Sequence, residues 1–237
     1  VSGGAFNIGS GISSINISDN TQLILNSTTA VSTFASPISL NAQQAGVFKL
    51  LGVGTLTLSA DSTAGVTTND SISVINGTLN VTGKLGNASL TSLTSGTITG
   101  AGGTIGALTV NTGTVAPGGT LNTGAITLNA ATNYNAAILT NATASNLKTS
   151  SAINLNGANL ALSSIPNGLS VGNVFTIIDN TATQTGINGT FAGLPEGASV
   201  SAKDSSGNTI AFTISYKGGT NTNDVTLTVA SVTPSQT

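Results

Sequence analysis

The sequence predicts an all-β protein, a parallel β-helix (solenoid) closed at its C-terminal end by an antiparallel β cap. Three observations carry that prediction. Apolar residues alternate with Thr, Ser and Asn over runs of three to five residues, too short for an ordinary sandwich strand. Gly-Thr followed by an apolar residue recurs at Gly54, Gly77, Gly96 and Gly113, at intervals of 23, 19 and 17 residues. These lie near the roughly 20-residue lower end of solenoid repeats, whose corners accept insertions while the strand stack keeps its register. No window shows a sustained helical period, and Gly, Ser, Thr and Asn crowd every one.

Taken in order, residues 1–18 open with Gly3, Gly4, Gly9 and Gly11 and then place apolar side chains at Ile12, Ile15 and Ile17. Leu23–Leu25 form a compact strand, and Val31–Leu40 another, with Pro37 at an edge or corner. Val47–Leu51 is the most apolar run of this half, and its Phe48 reads as a core or end plug. Gly54–Leu58, Ile72/Val74, Gly77–Val81, Gly96–Gly100, Leu108/Val110, Gly113–Val115 and Ile126/Leu128 then repeat the inward–outward alternation. The recurrent Gly reads as a corner residue at positive φ. Asn76-Gly77 reads as a corner and Asn188-Gly189 as a hairpin turn. Stacked Asn or Thr at such corners would form side-chain ladders.

After Ala130 the texture changes. Ala136–Leu139, Ile153–Leu155 and Asn159–Leu162 lead to a break at Pro166-Asn167-Gly168. Beyond it come longer segments, Val174–Ile178, Thr190–Leu194, Ala198–Ala202, Ile210–Tyr216 and Val225–Val229. Four of the eight aromatic residues (Phe175, Phe191, Phe212, Tyr216) fall there. The division is therefore 1–165 for the repeat region and 166–237 for the terminal β cap, which protects the open end of the stack.

Composition bounds the function. Five Lys, no Arg, six Asp and one Glu in 237 residues give a net charge of −2. That excludes the basic stripe of a nucleic-acid binder and a polybasic membrane contact. No apolar run approaches the roughly 18 residues of a membrane-spanning helix. Cys, His, Trp and Met are absent, which removes thiol chemistry, His-based proton transfer and thiolate metal sites. Starting at Val1 without Met or a leader, the chain reads as a mature product or a fragment.

Two stretches carry a family resemblance. GTITGAGGTIGALTV…GTVAPGG, from Gly96 to Gly119, resembles the autotransporter-associated β-strand repeat of bacterial surface proteins. VGNVFTIIDN…NGTFAGLPEGASV…FTISYKGGTNTNDVTLTV, from Val171 to Val229, is similar to the ending of such repeat regions. The family's ending commonly reads Gly-Gly-Asp-Gly-Asn-Asp-Val, whereas here Gly218-Gly219 is followed by Thr220-Asn221-Thr222. The resemblance implies a secreted or surface-exposed, non-catalytic β-helix.

Catalysis on polysaccharides would need clustered carboxylates. Asp19, Asp61, Asp70, Asp179, Asp204 and Asp224 are dispersed; Asp61 and Asp70 are spaced to meet across one coil, with a corner-capping or solvated role as the stronger reading. The chain therefore reads as a non-enzyme without a cofactor. The sharpest metal candidate is a Ca²⁺ site at Asp224, in one imperfect copy of a Gly-Gly-x-Gly-x-Asp pattern; the competing reading is a hairpin turn with Asp224 bonded to its own backbone. Before Lys49 the only charge is Asp19, so the first strands lack charged edge protection. Ile12, Ile15 and Ile17 are accordingly the predicted assembly residues of a head-to-tail homopolymer at a bacterial surface. The alternative is an adhesin module that binds a glycan or a host protein.

Overall fold

The computed structural model describes residues 2–3, 15–18, 22–27, 32–34, 38–41, 47–59, 61, 71–85, 89–183 and 186–235. Every regular element among them is a β-strand. Most strands pair in parallel with a strand of the preceding or following repeat, in three series.

The first series runs through Ser2–Gly3, Gln22–Ser27, Val47–Gly52, Ser71–Val74 and Ser89–Leu93. It continues through the first residues of Leu108–Val115 and Ile126–Ala137 to Ile153–Asn154 and Ile187–Asn188. The second series joins Ser32–Phe34, Thr55–Leu58, Thr78–Val81 and Thr97–Thr99 to the later residues of the same two long strands, and ends at Asn159–Ser163. Register shifts after Val110 and Leu128 let each long strand serve both series. The third series begins as single bridges from Lys84 to Thr104 and on to Asn122, then becomes Thr120–Asn122, Asn146–Thr149 and Val174–Asn180. Separately, Ile15–Ser18 pairs in parallel with Ile38–Asn41.

The pairing repeats at the intervals read from the sequence, since Thr55 faces Thr78, Thr78 faces Thr97, and Thr97 faces Thr114. Alternation is equally regular. In Thr55–Leu58, Ser71–Val74 and Thr78–Val81 every second side chain is buried. Leu56, Leu79, Ile98, Val115 and Tyr134 therefore stack in register through the interior, all buried. Each such aliphatic side chain contributes about 1.5–3 kcal/mol by leaving water.

The Gly-Thr repeat has a reason beyond positive φ. Positive φ occurs at Gly77 and Gly113, while Gly54 and Gly96 have ordinary backbone angles. What these glycines share is close stacking. The carbonyls of Gly54, Gly77 and Gly96 accept the N–H of Thr78, Thr97 and Thr114 at 2.9, 2.8 and 2.9 Å. A Cβ on Gly77 would lie 2.5 Å from the Gly54 oxygen, and one on Gly113 would lie 2.6 Å from the Gly96 oxygen. Asn side chains on successive repeats also bond to one another: Asn129 donates to Asn111 at 2.7 Å and Asn156 to Asn129 at 3.2 Å.

Pairing turns antiparallel at Val174–Asn180, which joins Asp224–Thr233; that strand pairs with Thr209–Gly218, and the latter with Ser199–Lys203. Val174–Asn180 and Ile187–Asn188 also add to parallel series. Asn188-Gly189 is consequently not a hairpin turn; Ile187–Asn188 lies parallel to Ile153–Asn154. Residues 190–194 are not a strand either. Phe191 and Leu194 bridge one another across a tight turn. Ile12 and the side chains of Ile15, Ile17 and Phe48 lie outside the described residues, as does Asp70.

Candidate functional site

Two features of the terminal segment stand out as built rather than incidental, the Phe191–Gly197 turn and the carboxylate pair Asp179/Asp224. The first explains the run Phe-Ala-Gly-Leu-Pro-Glu-Gly. Phe191 is fully buried and stacks on Tyr134 at 5.7 Å, with Tyr216 on its other flank at 6.4 Å. The Tyr216 hydroxyl accepts the Phe191 N–H at 2.9 Å and donates to the Leu194 carbonyl at 2.7 Å. Glu196 reaches back across the turn to accept the Tyr216 N–H and the Ser215 hydroxyl, each at 2.7 Å. Those two donors hold its carboxyl below the usual range, the backbone N–H foremost. Tyr134 continues the interior stack, with Leu160 as its next register partner. Its hydroxyl donates to the Ile177 carbonyl, and burial raises its pKa far above the ordinary phenol, keeping it a neutral donor.

The second feature assembles at the seam between parallel and antiparallel pairing. Lys148 and Asp179 are register partners on adjacent strands and form an ion pair at 2.8 Å. The next residue, Asn180, donates its N–H to Asp224 Oδ1 at 2.8 Å. Asp179, Asn180, Thr181, Thr220, Asn221, Asn223 and Asp224 line a polar cavity of about 190 Å³. Burial pushes the Asp224 carboxyl up and the Asn180 N–H opposes this; Asp179 adds to the rise and Lys148 counters it. The other carboxylate oxygen of Asp224 occupies the space that a Cβ on Gly219 would need, and the Thr226 side chain does the same at Gly218. That is why two glycines precede this turn. Asp224 thus ties its hairpin to the neighbouring strand at Asn180, rather than bonding within its own turn.

Asp61 sits away from this cavity, in an exposed ion pair with Lys84 at 3.5 Å. Asp204 is buried and organises its own turn, accepting the N–H groups of Ser206 and Asn208, both at 2.9 Å. Among the described residues no group of three or more His, Cys, Asp or Glu converges. The nearness of Asp179 and Asp224 carries no sequence signal, because it arises only once the strand order is known.

Asp224→Asn tests the site. Asn keeps the oxygen that accepts the Asn180 N–H and removes a carboxylate whose folded-state pKa is raised. Such a group weakens the fold above its folded pKa, and the loss is relieved as pH falls towards the unfolded value. The variant is therefore expected to melt at or slightly above the wild-type temperature at pH 7, with the difference closing below about pH 4. On the turn reading, millimolar Ca²⁺ leaves both melting curves unchanged. A calcium-dependent rise in the wild type that Asp224→Asn abolishes would instead make this a calcium site.

No protein-family model matches the chain, and no curated protein matches it.

Proposed function

We propose that this chain is a structural β-solenoid of a bacterial surface, a parallel β-helix with an antiparallel C-terminal cap, serving as a building block without catalysis. The observation that carries the reading is the parallel register itself, sustained from Gln22–Ser27 to Ile187–Asn188 in the first series. Parallel series that share one buried apolar cluster support a coiled chain. The Tyr134–Phe191–Tyr216 cluster, with Phe175 and Phe212 packed edge to face at 6.3 Å, supplies the apolar mass of the cap. The resemblance to the autotransporter-associated repeat, and with it secretion, belongs to the same reading.

Self-association is its second half. Ser2–Gly3, Ile15–Ser18 and Ser32–Phe34 each pair on one side only among the described residues. An uncharged strand edge of this kind is a template for another chain. We place the head-to-tail contact there, with Ile15 and Ile17, and Ile12 before them, as its apolar residues. For the adhesin alternative, the aromatic side chains among the described residues, Tyr134, Phe175, Phe191, Phe212 and Tyr216, are buried and offer no stacking platform for a sugar.

Negative-stain microscopy across a concentration series should show rods that lengthen with concentration. Deleting residues 1–18 should return monomeric rods with an unchanged circular dichroism spectrum. Rods of constant length at all concentrations, or assembly that survives the deletion, would refute the self-association.

A further inference from the structure

The outward face of the second series carries threonine in rank and file. Thr55, Thr78, Thr97 and Thr114 stand opposite one another on four successive strands. Two residues further along, Thr57, Asn80 and Thr99 form a second rank. Their neighbours Leu56, Leu79, Ile98 and Val115 point into the core, so the threonines point to solvent. No register shift interrupts the pairing between these strands. The strands Thr55–Leu58, Thr78–Val81, Thr97–Thr99 and Leu108–Val115 contain no charged residue. Among the described residues one side-chain bond forms within the array, from Asn80 to the Thr57 hydroxyl at 3.2 Å, and the hydroxyls of Thr55, Thr78, Thr97, Thr99 and Thr114 have no side-chain hydrogen bond.

The spacing of such an array is set by the backbone. Adjacent strands lie about 4.8 Å apart and alternate residues along a strand about 6.7 Å apart. The outward side chains therefore spring from a near-rectangular grid, whose inter-strand repeat approaches the shorter oxygen repeat on the prism face of hexagonal ice. Threonine is suited to hold that grid. Its branched Cβ restricts χ1, so hydroxyl and methyl have few orientations open to them even without a packing partner. Water bridging such hydroxyls is ordered in advance, and the entropic loss on joining a crystal is small for each molecule. A charged side chain would impose its own hydration shell, and none is present on these strands.

We infer that this threonine face binds ice, with the growing crystal surface as its ligand. The inference needs only the parallel register of four strands and is independent of whether the chain self-associates. A crystalline polysaccharide also offers ordered hydroxyls, but its recognition favours exposed aromatic platforms, which this face lacks.

The test is partition of the full chain into a slowly grown ice hemisphere, together with thermal hysteresis in dilute solution. The wild type is expected to enter the ice severalfold above an inert protein marker and to shape the crystals. Replacing the centre of the rank, Thr78→Tyr with Thr97→Tyr, should return partition to the marker's level while the circular dichroism spectrum is kept. The control pair Thr109→Tyr with Thr127→Tyr, opposite one another in the first series, should partition like the wild type. If the central pair does not fold, Thr55→Tyr at the end of the rank takes its place and should lose part of the effect. Exclusion of the wild type from ice, or undiminished partition of the rank variants, overturns the inference.

Discussion

Leu79→Asp is expected to unfold the middle of the chain under conditions in which Thr78→Asp remains folded. The two positions are adjacent, on the same strand, and receive the same new side chain. Their environments differ completely. Leu79 is fully buried between Leu56 and Ile98, while Thr78 points outward between Thr55 and Thr97. At position 79 the substitution removes a packed isobutyl group and buries a carboxylate without a partner, a loss on the order of 5 kcal/mol. At position 78 the loss is about 1 kcal/mol, from the poor fit of Asp to a half-exposed strand. Urea midpoints of the two variants check this. Comparable shifts would mean that the assignment of faces is wrong for this strand, and with it for the repeats paired to it.

That assignment is legible in the sequence alone, because period-two alternation is a property of the strand itself. Ile72 and Val74, Leu79 and Val81, Leu108 and Val110 all lie in the core as their spacing predicts. Features that depend on neighbouring strands were legible only in outline. Gly-Thr was recognisable as a repeat, yet its cause is the carbonyl of the preceding layer, which no local pattern contains. The residues of Thr190–Leu194 have a strand-like composition, but burial of Phe191 against Tyr134 and the Glu196 contact to Tyr216 hold a turn instead. Tertiary context overrode propensity there. Asp179 and Asp224 were two of six scattered aspartates until the Val174–Asn180 strand gained an antiparallel partner.

Gly77→Ala is expected to destabilise far more than Gly102→Ala, although the two glycines have nearly the same backbone conformation, φ of +76° and +81°. For any L-residue that conformation costs about 1–2 kcal/mol, and this part of the loss is common to both variants. A methyl group at Gly102 meets nothing within 4 Å. At Gly77 it would stand 2.5 Å from the carbonyl oxygens of both Gly52 and Gly54. Backbone cannot swing aside as the end of a long side chain can, so the two layers must separate. Overpacking of this kind adds about 1–3 kcal/mol. The separation acts first on the Thr78 N–H, which bonds to the Gly54 carbonyl at 2.9 Å, and next on the Thr97 N–H above it. Hydrogen exchange should therefore show Thr78 and Thr97 losing protection in Gly77→Ala but not in Gly102→Ala, alongside a lower urea midpoint for the former. Equal losses in the two variants would mean that layer-on-layer contact adds nothing beyond the shared φ, and that Gly77 does not stack on Gly54.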